Sequence, residues 1–300
     1  ISATIMMGFW VVLISLRQYV LFKSWHAIAP DKQKYDRAWE ELRAREENKM
    51  EIDKLAKVVA RQDTKNKLVR QAFAASSALL ADSEAQHCKF LETYEGVHPN
   101  PLLCRVKLVS SYVTSLDQLY VQAALLEPYF TMKVQEFAGA CRGCFPLVNA
   151  MDCFVRWDEM RWGNGSNLRI KWAGLKSVDR AIEKLSRSYL GDVSKLVDVV
   201  RQCIIFEDIS DLRLCIERIC DDPEIEVVRI KNRLDPLYNS KLSAGYRDVA
   251  LNMKLTSPRT RALGLSNHIC ELQLVLDRFM TLKTADGHKR YVEFRNKTRV

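Results

Sequence analysis

Asp198 and Glu271 fall in stretches that read as strands, and Arg169, Lys171, Lys176, Arg180 and Lys184 precede or flank the first of them. Carboxylates projecting from neighbouring strands can share a magnesium ion, and cations can neutralise phosphate oxygens. Phosphoryl-type transfer asks little more of a protein than these groups and a platform for the base. Tyr246, between Gly245 and Arg247, offers a ring for that platform. Glu207, Asp208 and Asp248 compete for the carboxylate role. Taken one at a time these signals are weak, because a charged strand face is usually only solvated and a Tyr beside Gly is often a turn residue.

The elements that must position these groups are legible from periodicity. A short strand is expected over 168–172. Leu175, Val178, Ile182, Leu185 and Tyr189 are spaced as one face of a helix. Residues 196–206 read as a buried strand, and Asp208 as the cap of a helix carrying Leu212, Ile216 and Ile219. Residues 225–230 are β-rich. Val249, Leu251, Met253 and Leu255 alternate with Ala250, Asn252 and Lys254, as on a half-buried strand. In the strand 268–274, Cys270, Leu272 and Leu274 share one face, and Glu271 and Gln273 the other. A last helix is expected from about Val275. Interleaved strands and helices make this a mixed α/β module within an α+β chain.

The same residues fall in an ordered set of motifs: Arg169-Ile170-Lys171, then Ser177 and Lys184, then Asp198. Lys231-Asn232-Arg233, Gly245-Tyr246-Arg247-Asp248-Val249, Glu271-Leu272-Gln273-Leu274 and His288-Lys289-Arg290-Tyr291 follow. The order and spacing over about 165–300 resemble the RelA/SpoT-type nucleotidyltransferase domain. That resemblance implies transfer of pyrophosphate from ATP to GDP or GTP, with Mg2+ held by Asp198 and Glu271 as metal and catalytic residues. It implies nucleotide contacts from Tyr246, Arg169, Lys171, Lys184 and His288. The chain departs from the pattern at Asn232, where an Asp belongs, at Asp248, where a Ser belongs, and at Ala250, where a His belongs. Those departures alter the acceptor-nucleotide side of the pocket.

The other half of the chain is differently built. Residues 1–16 carry no charge, and after Arg17 the apolar character resumes to Phe22, enough to span a bilayer as a helix. Residues 1–22 are therefore expected to be a membrane anchor, with a buried or interfacial helix as the alternative. Lys23, Lys32, Lys34 and Arg37 flank its end, so the bulk of the chain is expected on the cytosolic, matrix or stromal side. Pro30-Asp31 is expected to start a new charged helix reaching Gln62, and a second helix is expected over 63–94. Leu102, Val106, Val109, Val113, Leu116, Tyr120 and Ala123 form a coiled-coil-like stripe expected to pack in an antiparallel bundle, with Pro128 kinking or restarting that helix. Residues 23–140 thus read as a helical arm, 141–164 as a linker and 165–300 as the nucleotidyltransferase-like domain.

The net charge of +9 suits anionic partners, but without an arginine-rich tract nucleic acid is not the expected one. The nine cysteines have no framework spacing, which fits a reducing compartment; Cys141-Arg142-Gly143-Cys144 reads as a tight turn rather than a zinc site. Two functions follow. One is a membrane-tethered module that is non-catalytic or only nucleotide-binding and serves as an accessory subunit beside other subunits of a membrane complex. The other is an active Mg2+-dependent pyrophosphotransferase.

Overall fold

The computed structural model describes residues 2–62, 69–72, 112–148, 150, 153–162 and 169–298. The fold is α+β, with a long apolar N-terminal helix and a mixed six-stranded sheet. Helix α1 (Ser2–Arg43) runs through Pro30 without a break, and a turn at 44–45 leads into α2 (Glu46–Arg61). The helix start expected at Asp31 is therefore corrected. Proline removes one backbone donor, but tertiary packing of the following turns on the domain holds the helix together. Of the expected helix over 63–94, only Val69–Ala72 is described, and it is extended: Ala72 forms a bridge with Tyr112.

Helix α3 (Leu116–Ala140) begins where Ser115 Oγ accepts a hydrogen bond from the Gln118 amide at 3.2 Å. Val113 precedes it, and Leu102, Val106 and Val109 lie outside the described residues. The helix continues through Pro128. Its buried face, Leu119, Ala123, Leu126, Phe130, Val134 and Phe137, joins one core with the sheet residues Ile204, Leu272 and Leu274. Of the predicted stripe, Val113 and Ala123 are buried in this core and Leu116 and Tyr120 pack against it half-buried, so the described part of the stripe joins the core it shares with the sheet.

The expected linker 141–164 also contributes to the sheet. Strands β1 (Cys144–Pro146) and β2 (Phe154–Arg156) pair antiparallel, and β1 pairs with β3 (Arg201–Phe206). Helix α4 (Trp157–Trp162) follows β2. Cys141 and Cys144 are buried beside a turn in which Arg142 takes φ 56°, as the tight-turn reading requires.

Helix α5 (Val178–Lys184) runs on into a π-helical turn, Leu185–Tyr189. Its buried side carries Ala181 and Leu185, while Val178 and Ile182 are about half exposed, so the inward face differs from the one the spacing predicts. Strand β3 starts at Arg201 rather than at Leu196; residues 196–200 are buried but irregular. Helix α6 (Ile209–Asp221) buries Leu212, Ile216 and Ile219 as expected. Strands β4 (Ile225–Asn232), β5 (Val249–Leu255) and β6 (Ile269–Leu276) complete the order β2-β1-β3-β6-β5-β4. Strands β3 and β6 are parallel and the other neighbours antiparallel. Ala250 and Asn252 are buried along with Leu251 and Met253, so β5 is covered on both faces rather than half-buried. After β6 come α7 (Asp277–Thr281) and α8 (Ala285–Thr298), the latter packed along α1.

A cationic cleft with two carboxylates

Cross-strand register assembles the floor of the site. Glu271 of β6 lies opposite Arg201 of β3 on one side and Asn252 of β5 on the other, and Asn252 lies opposite Arg229 of β4. The next rung reads Cys203, Gln273, Ala250, Lys231 in the same order. Residues directly opposite share a face, and Arg201, Glu271, Gln273 and Lys231 of these rungs line one cleft. A bulge between Val227 and Arg229 makes this possible. Had the pairing continued in register without the bulge, Arg229 would oppose Leu251 and turn toward the apolar core; a one-residue shift exchanges the faces of a strand. Asn252 Oδ1 accepts from Arg229 Nε and Nη2 at 2.9 and 2.6 Å, which fixes that guanidinium on the floor.

Above this floor is a cavity of about 410 Å³. The π-helical turn after α5 and the segment 176–198 form one wall, with Lys176, Arg180, Lys184 and Arg187 turned to the cavity. Helix α8 gives His288 and Arg295 to the opposite side, with Lys283 ahead of it. Cations outnumber carboxylates here, which is the electrostatic footprint of a polyanionic ligand. π-Turns frequently mark functional sites, since they re-aim the residues of one turn.

Asp198 is held by two lysines. Lys176 Nζ and Lys184 Nζ donate to its Oδ2 at 2.7 and 2.9 Å, while its Oδ1 is buried with no hydrogen-bond partner among the described residues. Burial alone would raise the carboxyl, but the ammonium groups of Lys184 and Lys176 outweigh it and hold it down at about 2. The lysines themselves respond in opposite directions. Burial prevails at Lys176 and lowers it; at Lys184 burial acts in the same sense, but the attraction of Asp198 prevails and raises it. Glu271 behaves oppositely to Asp198: burial, then the nearby Asp198 charge, raise its carboxyl. Gln273 Nε2 donates to Glu271 Oε1 at 3.1 Å. Burial, followed by repulsion from Arg229 and Arg233, lowers Lys231 to about 8.

Tyr246 lines the cleft, yet its ring is not free. Tyr35 of α1 meets it edge to face with ring centroids 5.8 Å apart, and Lys283 Nζ sits 5.5 Å from its centroid. Its hydroxyl is buried without a hydrogen-bond partner among the described residues. Asp248 is buried and lines the cavity; its Oδ1 pairs with Arg233, while its Oδ2 has no hydrogen-bond partner among the described residues. Asn232 Oδ1 accepts from the Leu234 amide at 3.0 Å, an Asx turn at the end of β4. His288 is shifted down by burial and by the neighbouring Lys283 and Arg180 charges.

The structure therefore brings Asp198, Glu271, Tyr246, Lys184 and His288 to one cavity. Arg169 and Lys171 are placed elsewhere: Val148 donates its amide to the Arg169 carbonyl and Lys171 donates its own to the Pro146 carbonyl, which seats both along β1, outside the cavity lining. Lys231, Arg233, Lys283 and Arg295 are cations that line the cavity instead. The alternation of Arg229, Lys231 and Arg233 along a strand was the sequence signal for the first two; Lys283 and Arg295 had none.

Among the described residues no group of three or more His, Cys, Asp or Glu side chains could hold a metal by itself. The unpartnered Asp198 Oδ1, with Glu271 on the adjacent floor, nevertheless fits Mg2+. That ion needs only one or two carboxylates when phosphates and water complete its shell.

No family model matches the chain, and no curated protein matches it by sequence. Among solved structures it is similar to small alarmone synthetase 1 from Bacillus subtilis, at 15% identity over 53% of this chain and 70% of that one, with a TM-score of 0.35. It is also similar to the type VI effector Tas1 in the complex with its immunity protein, at 17% identity over 59% of this chain and 74% of that one, with a TM-score of 0.33. A third likeness is to a GTP pyrophosphokinase family protein from Streptococcus pneumoniae, at 12% identity over 43% of this chain and 69% of that one, with a TM-score of 0.30.

Proposed function

We propose that the cleft binds the polyphosphate of a nucleotide together with Mg2+, in a module tethered to a membrane by α1. The observation that carries this reading is the convergence of Arg180, Lys184, Arg201, Lys231 and Lys283 on a cavity that also holds Asp198 and Glu271. Mg2+ held by the two carboxylates would neutralise phosphate oxygens. Arg180 and Lys283 would hold the outer phosphates, and Lys231 would sit between floor and ligand. The tether is supported by an 18-residue window of α1 with mean hydropathy 1.3 and none of its residues buried. Length and composition of this kind suit an anchor. In this reading the module is an accessory subunit of a membrane assembly, on the side where Lys23, Lys32, Lys34 and Arg37 follow the apolar stretch.

A second reading, pyrophosphate transfer, is favoured by one feature: Glu271 is a carboxyl raised by burial beside the carboxylate of Asp198. Paired carboxylates whose environments push them apart are suited to separate roles in proton transfer. An acceptor hydroxyl would attack the β-phosphorus of ATP, AMP would leave, and Glu271 would take the hydroxyl proton.

One experiment decides between them. The full chain in mild detergent is titrated with ATP and GTP in Mg2+, then assayed for label transfer from γ-labelled ATP to GDP or GTP. Saturable binding without transfer supports the binding module. Transfer that is lost in Glu271→Gln supports the enzyme. No binding of either nucleotide overturns both.

A further inference from the structure

We propose that α1 is a strap as well as a tether: its stretch 28–35 closes the aromatic end of the cleft, and a ligand gains the Tyr246 ring only when that stretch swings away. This rests on the nucleotide reading and assigns the site its control element. The stretch is the direct continuation of the apolar helix, so the proposed anchor and the cleft wall are one rod.

The seat of the strap is specific. Ile28 is buried against Ala244 and Phe294, with Tyr291 beside them. Trp25 meets Phe294 edge to face at 4.6 Å. Arg290 donates to both carboxylate oxygens of Asp31, at 2.8 and 2.9 Å. Ser240 Oγ donates to Asp36 Oδ1 at 3.2 Å. Closest of all is Gly245, at φ +88°: a Cβ there would stand 2.8 Å from Tyr35 Cβ and 3.0 Å from the Lys32 carbonyl oxygen. The loop bearing Tyr246 thus carries glycine where α1 presses on it.

The seat also leaves binding capacity unused. Ile28, Asp31 and Tyr35 all line the cavity, and the Tyr35 ring stands perpendicular to that of Tyr246 against it. The Tyr246 hydroxyl remains a buried donor without a partner among the described residues. Such a group is costly to leave unmade, and an incoming acceptor would satisfy it. The polar clamp is a bidentate pair at the protein surface, with Arg290 40% exposed and its charge open to screening by salt. In the closed state the cations still accept phosphates, but the aromatic end is shut.

The test locks the strap. Asp36→Cys with Ser240→Cys, in the full chain in detergent, is oxidised with diamide, which takes both thiol hydrogens as the disulfide forms. Pyrophosphate and GTP are titrated with Mg2+ before oxidation, after it, and after re-reduction; oxidised wild type controls for the native cysteines. The strap predicts GTP affinity at least tenfold weaker when locked and restored on reduction, with pyrophosphate affinity unchanged. Tyr35→Ala is the second variant. Removing one edge-to-face pair should tighten GTP roughly three- to tenfold and leave pyrophosphate unaffected. Equal GTP affinity in locked, reduced and Tyr35→Ala proteins overturns the strap while leaving the nucleotide reading intact. Absence of binding by both ligands in every form overturns that reading, and the strap with it.

Discussion

Replacing Asp198 by Asn tests the electrostatics of the cleft independently of any ligand. In the folded chain the carboxyl is held at about 2, against 3.8 for an unperturbed Asp. Nearly two pKa units at about 1.36 kcal/mol each give roughly 2–3 kcal/mol of stability at neutral pH. Its side chain is only 11% exposed, so solvent screens this little. The folded pKa is depressed, so the stabilisation is complete above the unfolded value of 3.8 and disappears as pH falls through about 2. The Asp198→Asn variant would keep the shape of the side chain but remove the charge that compensates Lys176 and Lys184. For a unit of this size about 2–3 kcal/mol corresponds to a Tm drop of roughly 5–10 °C. The assay is thermal unfolding of wild type and Asp198→Asn in the same detergent from about pH 7 to about pH 3. The gap should be full between about pH 7 and pH 5 and should narrow below about pH 4. Equal melting temperatures at neutral pH would refute the ion triad as a net stabilising arrangement.

Glu271→Gln should shift stability the other way. The folded state raises that carboxyl, so the charged form is disfavoured above its unfolded pKa, and melting at neutral pH should rise in the variant while Mg2+-nucleotide binding weakens. Arg233→Ala strands Asp248, whose side chain is 1% exposed; breaking such a pair costs about 3–5 kcal/mol, read as a lower denaturant midpoint. Gly245→Ala meets both a left-handed φ and the Tyr35 and Lys32 contacts, so a loss of about 1–3 kcal/mol is expected in the same unfolding assay. An intact chain that resists extraction by alkaline carbonate bears out the tether; release into the supernatant contradicts it.

Much of the C-terminal module was legible because its signals are local. The alternation of Cys270, Leu272 and Leu274 with Glu271 and Gln273 puts the carboxylate on the cleft side of β6, where it lies. The cap position of Asp208 and the spacing of Leu212, Ile216 and Ile219 likewise mark α6, although Asp208 makes no capping hydrogen bond through its side chain. Asp198 is legible as a site residue, but it lies on the irregular segment before β3 rather than on the strand. Features that depend on distant partners were not legible. Pro30 is a local stop signal overridden by packing. Asp248 reads in sequence as a departure from a motif, whereas its pairing with Arg233 across β4 and β5 explains why a carboxylate is tolerated there. The bulge that puts Lys231 on the cleft face of β4 follows from the register against β5, which no single strand reveals. Tyr35 carried no sign of its role, because it lies far from Tyr246 in the chain and reaches it only through the course of α1. Arg169 and Lys171 show the converse: residues of the right chemistry at a motif-like spacing are seated beside β1 by backbone pairing, outside the cavity lining.

The polyanion cleft is tested head-on by calorimetric titration of the intact chain in detergent with GTP and Mg2+, for wild type and for Arg180→Glu combined with Lys283→Glu. The two substitutions reverse the charge of two cleft walls without touching the buried triad. One saturable site is expected in wild type, weakened by added salt and lost in the double variant. Heat of binding that is absent in wild type, or unchanged by the double charge reversal, would rule out a polyanion site in this cleft.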